Sequence, residues 1–275
     1  MPAPDAAPAP DAPRLSRPLA VHLIPAMVDP AALASAIVIM IDALRASVTI
    51  AHALAHGCPV VHPTATVDEA RALADTLRAA GQHPLLGGER AGVLIDGFDL
   101  DNSPWRYTRD AIASRPLVFT TTNGTAALLH ARHADLILVG SFVNLSAVCS
   151  AVASDRRPVH ILCAGTRGEV SLDDCLPAGA IADQLVLAGR ELATDDSARL
   201  CIEAFRHARQ RAADPDTGIL QAMRESRGGR NLIRLSLNDD IVQCSRRDTL
   251  NIIPVFNPAD RTIRTLAEPA TEIAP

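Results

Sequence analysis

One local pattern occurs three times in this chain: an apolar run typical of a buried strand, a polar or glycine-rich turn, and then a helical pattern. The runs are residues 36–41, 116–119 and 159–163, and the turns are residues 42–47, 120–125 and 164–174. Strands that alternate with helices predict an α/β sandwich. Because ligands bind outside the carboxyl ends of the strands in an open α/β sheet, we expect the three turns to meet at one edge.

Composition narrows the class of protein. With 275 residues, of which 48% are hydrophobic, the chain can form one large or two small domains with a sizeable core. The 26 basic and 31 acidic residues give a net charge of −5 without a basic block, which argues against nucleic acid as a partner. No apolar run approaches the ~20 residues of a membrane span. Six cysteines without C-x-x-C spacing, in a chain without a secretory signal, favour buried free thiols in the cytoplasm.

The ends of the chain differ from its centre. Proline and alanine dominate residues 1–18, which we expect to form a disordered leader. We place the folded α/β domain at residues 19–257 and an irregular tail at residues 258–275. Within the domain, Thr66 and Glu69 predict a capping box. A helix is predicted over residues 178–192, and Pro254 predicts that the last strand lies at a sheet edge.

Asp42 directly follows the first apolar run, and Arg45 comes three residues later. One interpretation is a helix N-cap with a local ion pair between the two side chains. The other is a metal ligand or general acid/base beside an arginine that binds phosphate. The residues by themselves leave both open.

Two further turns carry polar groups before a helix. Residues 120–125 supply three threonines and an Asn-Gly pair, which predict either an ordinary cap or a phosphate cradle at a helix N-terminus. Asp173 and Asp174 begin another helical pattern, where acidic residues complement the helix dipole or serve as oxygen ligands for Mg²⁺. The composition of residues 87–90 and 97–104 favours surface loops, although their glycines and polar side chains could also form parts of a site.

Taken together, several segments resemble the 2-phosphosulfolactate phosphatase family. The matching segments, in chain order, are residues 41–47, 88–90, 97–104, 121–125, 171–174, 178–179, 226–229 and 239–241. The resemblance implies a three-layer α/β/α sandwich with a mixed sheet and two related subdomains. It also implies a Mg²⁺-dependent phosphatase that converts 2-phosphosulfolactate to sulfolactate and phosphate, a step towards coenzyme M, or that acts on a similar small phosphorylated hydroxy acid. Ala43, Ser47 and Asp173 are conservative departures from the family pattern.

On this basis we assign roles to individual residues. Asp42, Glu89 and Asp174 are the expected metal ligands and, with Arg45, the expected catalytic residues. Arg45 and Arg90 are expected to hold the anionic groups of the substrate. The full set of expected substrate-binding residues is Arg45, Arg90, Asn102, Ser103, Thr122, Asn123, Gly124, Thr125 and Gly165. Direct attack by water and a phosphoenzyme on Asp42 both stay open.

Two other classes of function use the same residues. A metal-dependent lyase or isomerase of a small dicarboxylate would need the same carboxylates and arginines. A non-catalytic anion-binding module would need the arginines and the cradle but not the acidic residues. In each case the expected partner is a small anionic molecule rather than a nucleic acid or a membrane, and a homodimer is an open alternative to a monomer.

Overall fold

The structure is a computed structural model that describes residues 17–193 and 196–266. Its strands are β1 (Pro18–His22), β2 (Ile37–Ile41), β3 (Val61–Thr64), β4 (Leu85–Arg90), β5 (Val93–Leu94), β6 (Leu117–Thr120), β7 (Leu136–Val139), β8 (Val159–Cys163), β9 (Glu191–Leu192), β10 (Pro254–Asn257) and β11 (Thr262–Thr265). Its helices are α1 (Ala46–Ala55), α2 (Val67–Ala79), α3 (Arg109–Ile112), α4 (Gly124–His130), α5 (Leu145–Val152), α6 (Leu172–Leu187), α7 (Ser197–Gln210), α8 (Pro215–Glu225), α9 (Arg227–Arg234) and α10 (Asn238–Ser245).

The eleven strands form one mixed sheet in the order β5-β4-β6-β3-β11-β10-β7-β2-β8-β1-β9. One parallel group contains β4, β6 and β3, and a second contains β7, β2, β8, β1 and β9. The antiparallel hairpin β10–β11 joins the two groups. This large mixed sheet with its helices confirms the predicted α/β class. The relation between the two halves as subdomains stays a prediction.

The hairpin also reverses the strand direction across the sheet. Since β10 is antiparallel to β7, β11 to β10, and β3 to β11, the β3 group runs opposite to the β7 group along the ladder. The three turns were expected to meet at one edge, and residues of all three do line one pocket, although the strands before them do not share one direction. The turns after β2 and β6 nevertheless meet, because Gly124 packs against the Asp42 carboxylate.

Two predictions for the end of the chain are corrected by the structure. Pro254 begins β10, which lies inside the sheet between β11 and β7 and not at an edge. As the first residue of its strand, the proline is not required to donate to the ladder, and β7 pairs only with Val255 and Phe256. Residues 258–275 are also not irregular throughout, since β11 occupies Thr262–Thr265. Of the predicted leader at residues 1–18, residues 1–16 lie outside the described residues, whereas Pro18 is not part of a disordered leader because it begins β1. The end of the tail also lies outside the described residues.

The first apolar run forms the central strand β2, and its burial accounts for this position. All five residues of β2 are buried, as expected for a strand covered on both faces. All six cysteines are buried thiols and none forms a disulfide, as predicted. The capping box at Thr66 and Glu69 is confirmed at the start of α2. Among the residues that the structure describes, no helix combines the length and apolar character of a membrane span.

α6 begins earlier than predicted and ends earlier, at Leu187, because the acidic pair forms its first turn. Its Gly179 permits a very close approach of α7. A Cβ atom at this position would lie 2.0 Å from the carbonyl oxygen of Cys201.

We therefore expect Gly179→Ala to lower the free energy of unfolding by about 2–4 kcal/mol, because the added methyl group forces α6 and α7 apart. Urea denaturation followed by circular dichroism measures this change. An unfolding free energy within about 0.5 kcal/mol of the wild-type value would contradict the packing described here.

Candidate active site

Residues from the turns after β2, β6 and β8, from β4 and from α9 line one pocket of about 440 Å³. Two carboxylates, Asp42 and Glu89, lie at its buried end, and we call them the acidic floor. Three exposed arginines, Arg167, Arg227 and Arg234, line its outer part, and we call them the arginine rim. Arg45 and Arg90 also line the pocket, so five arginines surround two carboxylates.

Asp42 follows β2 and faces the N-termini of two helices. Backbone N–H groups of Ala46 and Gly124 hydrogen-bond to it and favour its ionised form. Burial and the charges of Glu89 and Asp173 outweigh these bonds and raise the pKa of Asp42 from 3.8 to about 7. The site thus holds a carboxylate whose charge is incompletely balanced by the protein.

Gly124 is the residue that allows α4 to approach Asp42. A Cβ atom here would lie 2.9 Å from Asp42 Oδ2. The predicted anion cradle at the start of α4 therefore faces a carboxylate of the protein. Thr125 is buried in the same helix turn, and neither Gly124 nor Thr125 lines the pocket.

Glu89 is the penultimate residue of β4 and connects three segments. Its Oε1 accepts hydrogen bonds from the backbone N–H (3.0 Å) and the hydroxyl (2.9 Å) of Thr122. Its Oε2 accepts from the Gly92 N–H at 2.7 Å. Because residues 87–90 are strand and largely buried, the surface-loop interpretation of this segment is wrong. Residues 101–103 are likewise buried.

Asp174 lies behind the acidic floor and stabilises the turn that carries Asp42. Its two carboxylate oxygens accept from the Ala43 N–H (2.7 Å) and the Gly165 N–H (2.9 Å), so it holds the turns after β2 and β8 together. Burial, followed by the charges of Asp173 and Asp42, raises the pKa of Asp174 well above its usual range. Neither Asp174 nor Gly165 lines the pocket.

Arg45 is buried and pairs with a residue far away in the sequence. Its Nη1 donates to Asp240 Oδ2 at 2.5 Å and to Ser103 Oγ at 3.2 Å, and its Nη2 donates to the Gly92 carbonyl at 2.8 Å. The local ion pair with Asp42 is therefore not what the structure shows. Three of the five guanidinium N–H donors are engaged by these acceptors, and Arg45 also lines the pocket.

Asp240, the partner of Arg45, is the residue of the candidate site that the sequence suggested least clearly. It is fully buried and also accepts from Ser103 Oγ (2.8 Å) and from Trp105 Nε1 (3.0 Å). The only sequence signal was its place in a short segment that matches the family. Nothing local linked it to Arg45, 195 positions away.

Arg90 is held by neutral acceptors. Its Nη1 donates to the Glu89 carbonyl at 2.8 Å, and its Nη2 donates to the Ala65 carbonyl at 3.1 Å and to Thr120 Oγ1 at 2.9 Å. In the described part of the chain no carboxylate forms an ion pair with it. Its positive charge is therefore available to an anion in the pocket.

The remaining predicted residues divide by position. Asn102, Thr122 and Asn123 line the pocket, while Ser103 lies behind it between Arg45 and Asp240. Asn102 is 3% exposed, and its Oδ1 has no hydrogen-bond partner among the described residues. The Asn123 Oδ1 accepts from the Arg167 N–H at 3.1 Å, which ties the third turn to the second.

Sequence reasoning missed the arginine rim. Arg167 belongs to the third polar turn, and Arg227 belongs to a segment that matches the family, but neither was assigned a role. On α9, Arg227 and Arg234 are seven positions apart, a spacing that places both on one helix face. That periodicity was the signal that could have found them. The arginine rim, together with Arg45 and Arg90, makes the pocket suited to bind a small molecule with several negative charges.

Comparison with known proteins agrees with this chemistry. The family model for 2-phosphosulpholactate phosphatase matches residues 22–258. The chain is 40% identical over 228 residues to a probable 2-phosphosulfolactate phosphatase of Symbiobacterium thermophilum, covering 82% of this chain and 92% of that protein. Proteins described in the same words are 38% identical in Deinococcus radiodurans, over 82% of this chain and 89% of that one, and 32% identical in Clostridium perfringens, over 83% and 89%. The resemblance seen in the sequence is thus confirmed, and this chain belongs to the 2-phosphosulpholactate phosphatase family.

Proposed function

We propose that this protein hydrolyses the phosphate monoester of 2-phosphosulfolactate to sulfolactate and phosphate with the help of a divalent cation, Mg²⁺. The observation that carries the proposal is the pocket itself, in which a floor of two carboxylates is surrounded by five arginines. A substrate with three acid groups matches this excess of positive charge. The family and the names of the relatives support the same substrate.

The residues of the floor are suited to a hard divalent cation. The raised pKa of Asp42 reflects negative charge that a cation would balance. No group of three His, Cys, Asp or Glu side chains converges within the described residues, but Mg²⁺ commonly takes one or two carboxylates and several waters. Asp42 and Glu89 would hold it, and Asp174 would keep the Asp42 turn in place. When bound, the cation would neutralise charge on the phosphoryl oxygens.

The protein's own groups would bind and orient the ester. Arg90, whose charge has no acidic partner in the described chain, would hold phosphoryl oxygens at the floor. Arg45, which Asp240 and the Gly92 carbonyl hold in place, would bind the same phosphoryl group through its two remaining N–H donors. Because phosphoryl transfer depends mainly on positioning and electrostatic stabilisation, this preorganised arrangement supplies what the reaction needs.

The direct test is release of inorganic phosphate from racemic 2-phosphosulfolactate by the purified protein, with Mg²⁺ and then with excess EDTA. We expect release that requires Mg²⁺. Absence of release from 2-phosphosulfolactate, 2-phospholactate and phosphoglycolate would overturn the proposal and favour a lyase or an anion-binding module. If phosphate release persists in EDTA, the proposed requirement for a divalent cation is wrong.

The metal-free protein should lose stability as the pH rises. The pKa of Asp42 is raised on folding, so its protonated form is favoured in the native state. The free-energy penalty for ionising Asp42 in the native state is absent below pH 3.8 and grows between pH 4 and 7. It reaches roughly 4 kcal/mol, since each unit of difference between the unfolded and native pKa corresponds to about 1.4 kcal/mol. We expect the melting temperature in EDTA to fall over this range relative to Asp42→Asn. Addition of Mg²⁺ at pH 8 should raise it in the wild type but not in the variant. Equal pH profiles for the two proteins would contradict this expectation.

A further inference from the structure

α9 directs a basic face into the pocket. Arg227, Asn231 and Arg234 line it, at positions i, i+4 and i+7 of the helix. Arg230, one residue before Asn231, does not line the pocket, and its guanidinium donates to the Glu225 carbonyl. The pocket therefore has a wall whose positive charge follows the helical period.

The position of this wall is fixed by its own hydrogen bonds. Ser226 caps α9 by accepting from the Gly229 N–H at 2.9 Å. The Gly228 N–H donates to Asp173 Oδ1 at 3.3 Å, and Ser171 Oγ donates to the same oxygen at 2.8 Å. Asp173 thus connects the wall to the start of α6, where Asp174 braces the acidic floor. The α9 wall and the acidic floor are therefore held in place by two neighbouring residues of α6, Asp173 and Asp174.

Arg227 already has an anionic partner at the mouth of the pocket. Its guanidinium forms an ion pair with Glu169, on the turn after β8. The two side chains are 43% and 71% exposed, respectively. Ion pairs this exposed are weak, so an acid group of a substrate that is held in place by its other contacts can displace the carboxylate. The Arg234 guanidinium donates to Asn231 Oδ1 at 3.3 Å and forms no ion pair with a carboxylate of the described residues.

We propose that Arg227 and Arg234 form the subsite for the acid group of the substrate that lies farthest from the phosphate, and that Glu169 competes with this group for Arg227. The inference rests on the proposed function, because it takes the phosphoryl group to bind at the acidic floor. In 2-phosphosulfolactate the phosphate and carboxylate share one carbon, and the sulfonate is on the next. The group for the α9 subsite is therefore the sulfonate.

Two substrates isolate this contact. 2-Phospholactate differs from 2-phosphosulfolactate only by the missing sulfonate. The ratio of their kcat/KM values thus measures recognition of the sulfonate and cancels the chemistry at phosphorus. We expect the wild-type protein to prefer the sulfonated ester.

Arg227→Gln and Arg234→Gln are each expected to reduce this ratio about five- to tenfold, through KM for the sulfonated ester rather than through kcat. Glu169→Gln is expected to act in the opposite direction and raise the ratio about two- to threefold, because Arg227 no longer has an internal competitor. Arg230→Gln is the matched control on the same helix. Glu203 on α7 forms an exposed ion pair with Arg206 at 3.3 Å, and Glu203→Gln is the matched control for Glu169→Gln. Both should leave the ratio unchanged.

The outcomes separate the two proposals. Hydrolysis of both esters with equal kcat/KM, or an unchanged ratio in both arginine variants, would overturn the subsite while the phosphatase activity stands. A fall of the ratio in Glu169→Gln would overturn the competition. Failure to hydrolyse either ester would overturn the proposed function, and the subsite with it.

Discussion

Asp42→Asn is expected to reduce Mg²⁺-dependent phosphate release about 10³-fold or more. The carboxylate is the buried charge at the centre of the site, hydrogen-bonded by two helix N-termini and destabilised by Glu89 and Asp173. An asparagine keeps the shape and one acceptor oxygen but removes the charge that would hold a cation or attack phosphorus. Loss of activity should therefore come without loss of the fold.

Phosphate release and thermal melting, measured on the same preparation, check both parts of this expectation. Asp68→Asn, an exposed aspartate in the first turn of α2, is the matched control and should behave like the wild type. We expect the melting temperature of Asp42→Asn in EDTA at pH 8 to exceed that of the wild type. Full Mg²⁺-dependent activity in Asp42→Asn would remove this residue from the catalytic centre.

Asp240→Ala is expected to lower the free energy of unfolding by about 3–5 kcal/mol. The change leaves the Arg45 guanidinium, 2% exposed, without its carboxylate. It also leaves the Ser103 hydroxyl and the Trp105 indole without the acceptor that they share. An unpaired buried charge costs far more than the lost ion pair itself contributed.

Urea denaturation measures this loss, and the neighbouring Asp239 provides the control. Asp239 is exposed, so Asp239→Ala should stay within about 0.5 kcal/mol of the wild type. In the double variant Arg45→Met with Asp240→Leu, both buried charges are removed, and we expect at least half of the lost stability to return. A loss below about 1 kcal/mol in Asp240→Ala would show that Arg45 is not dependent on Asp240.

Much of the fold was predictable because it depends on short stretches of chain. The apolar run of β2 predicted a buried strand, and all five of its residues are buried. Thr66 and Glu69 predicted a helix start through groups three residues apart. The place of β10 was not predictable in this way. Pro254 indicates only that one N–H is missing, whereas the partner strands on either side are set by distant segments.

The candidate site shows the same division. Asp42 was identified from its place directly after an apolar run, whereas Glu89 and Arg90 were assigned through short segments that match the family; both signals are local in sequence. Their different roles were not predictable. Asp174 and Asp42 are both aspartates near the start of a helix, and the sequence does not distinguish their roles. In the structure, Asp174 accepts from two backbone N–H groups behind the pocket, while Asp42 lines the pocket. Only the packing of the turns after β2 and β8 decides which carboxylate is available.

The sequence by itself determined the α/β class, the family and most of the residues at the buried end of the pocket, because periodicity and short matching segments are local properties. The tertiary structure alone decided the reversal of strand direction at the β10–β11 hairpin, the pairing of Arg45 with Asp240, and the arginine rim. These features join residues from about 60 to nearly 200 positions apart. Their energies come from burial and from charge pairing across the fold, which no local pattern records.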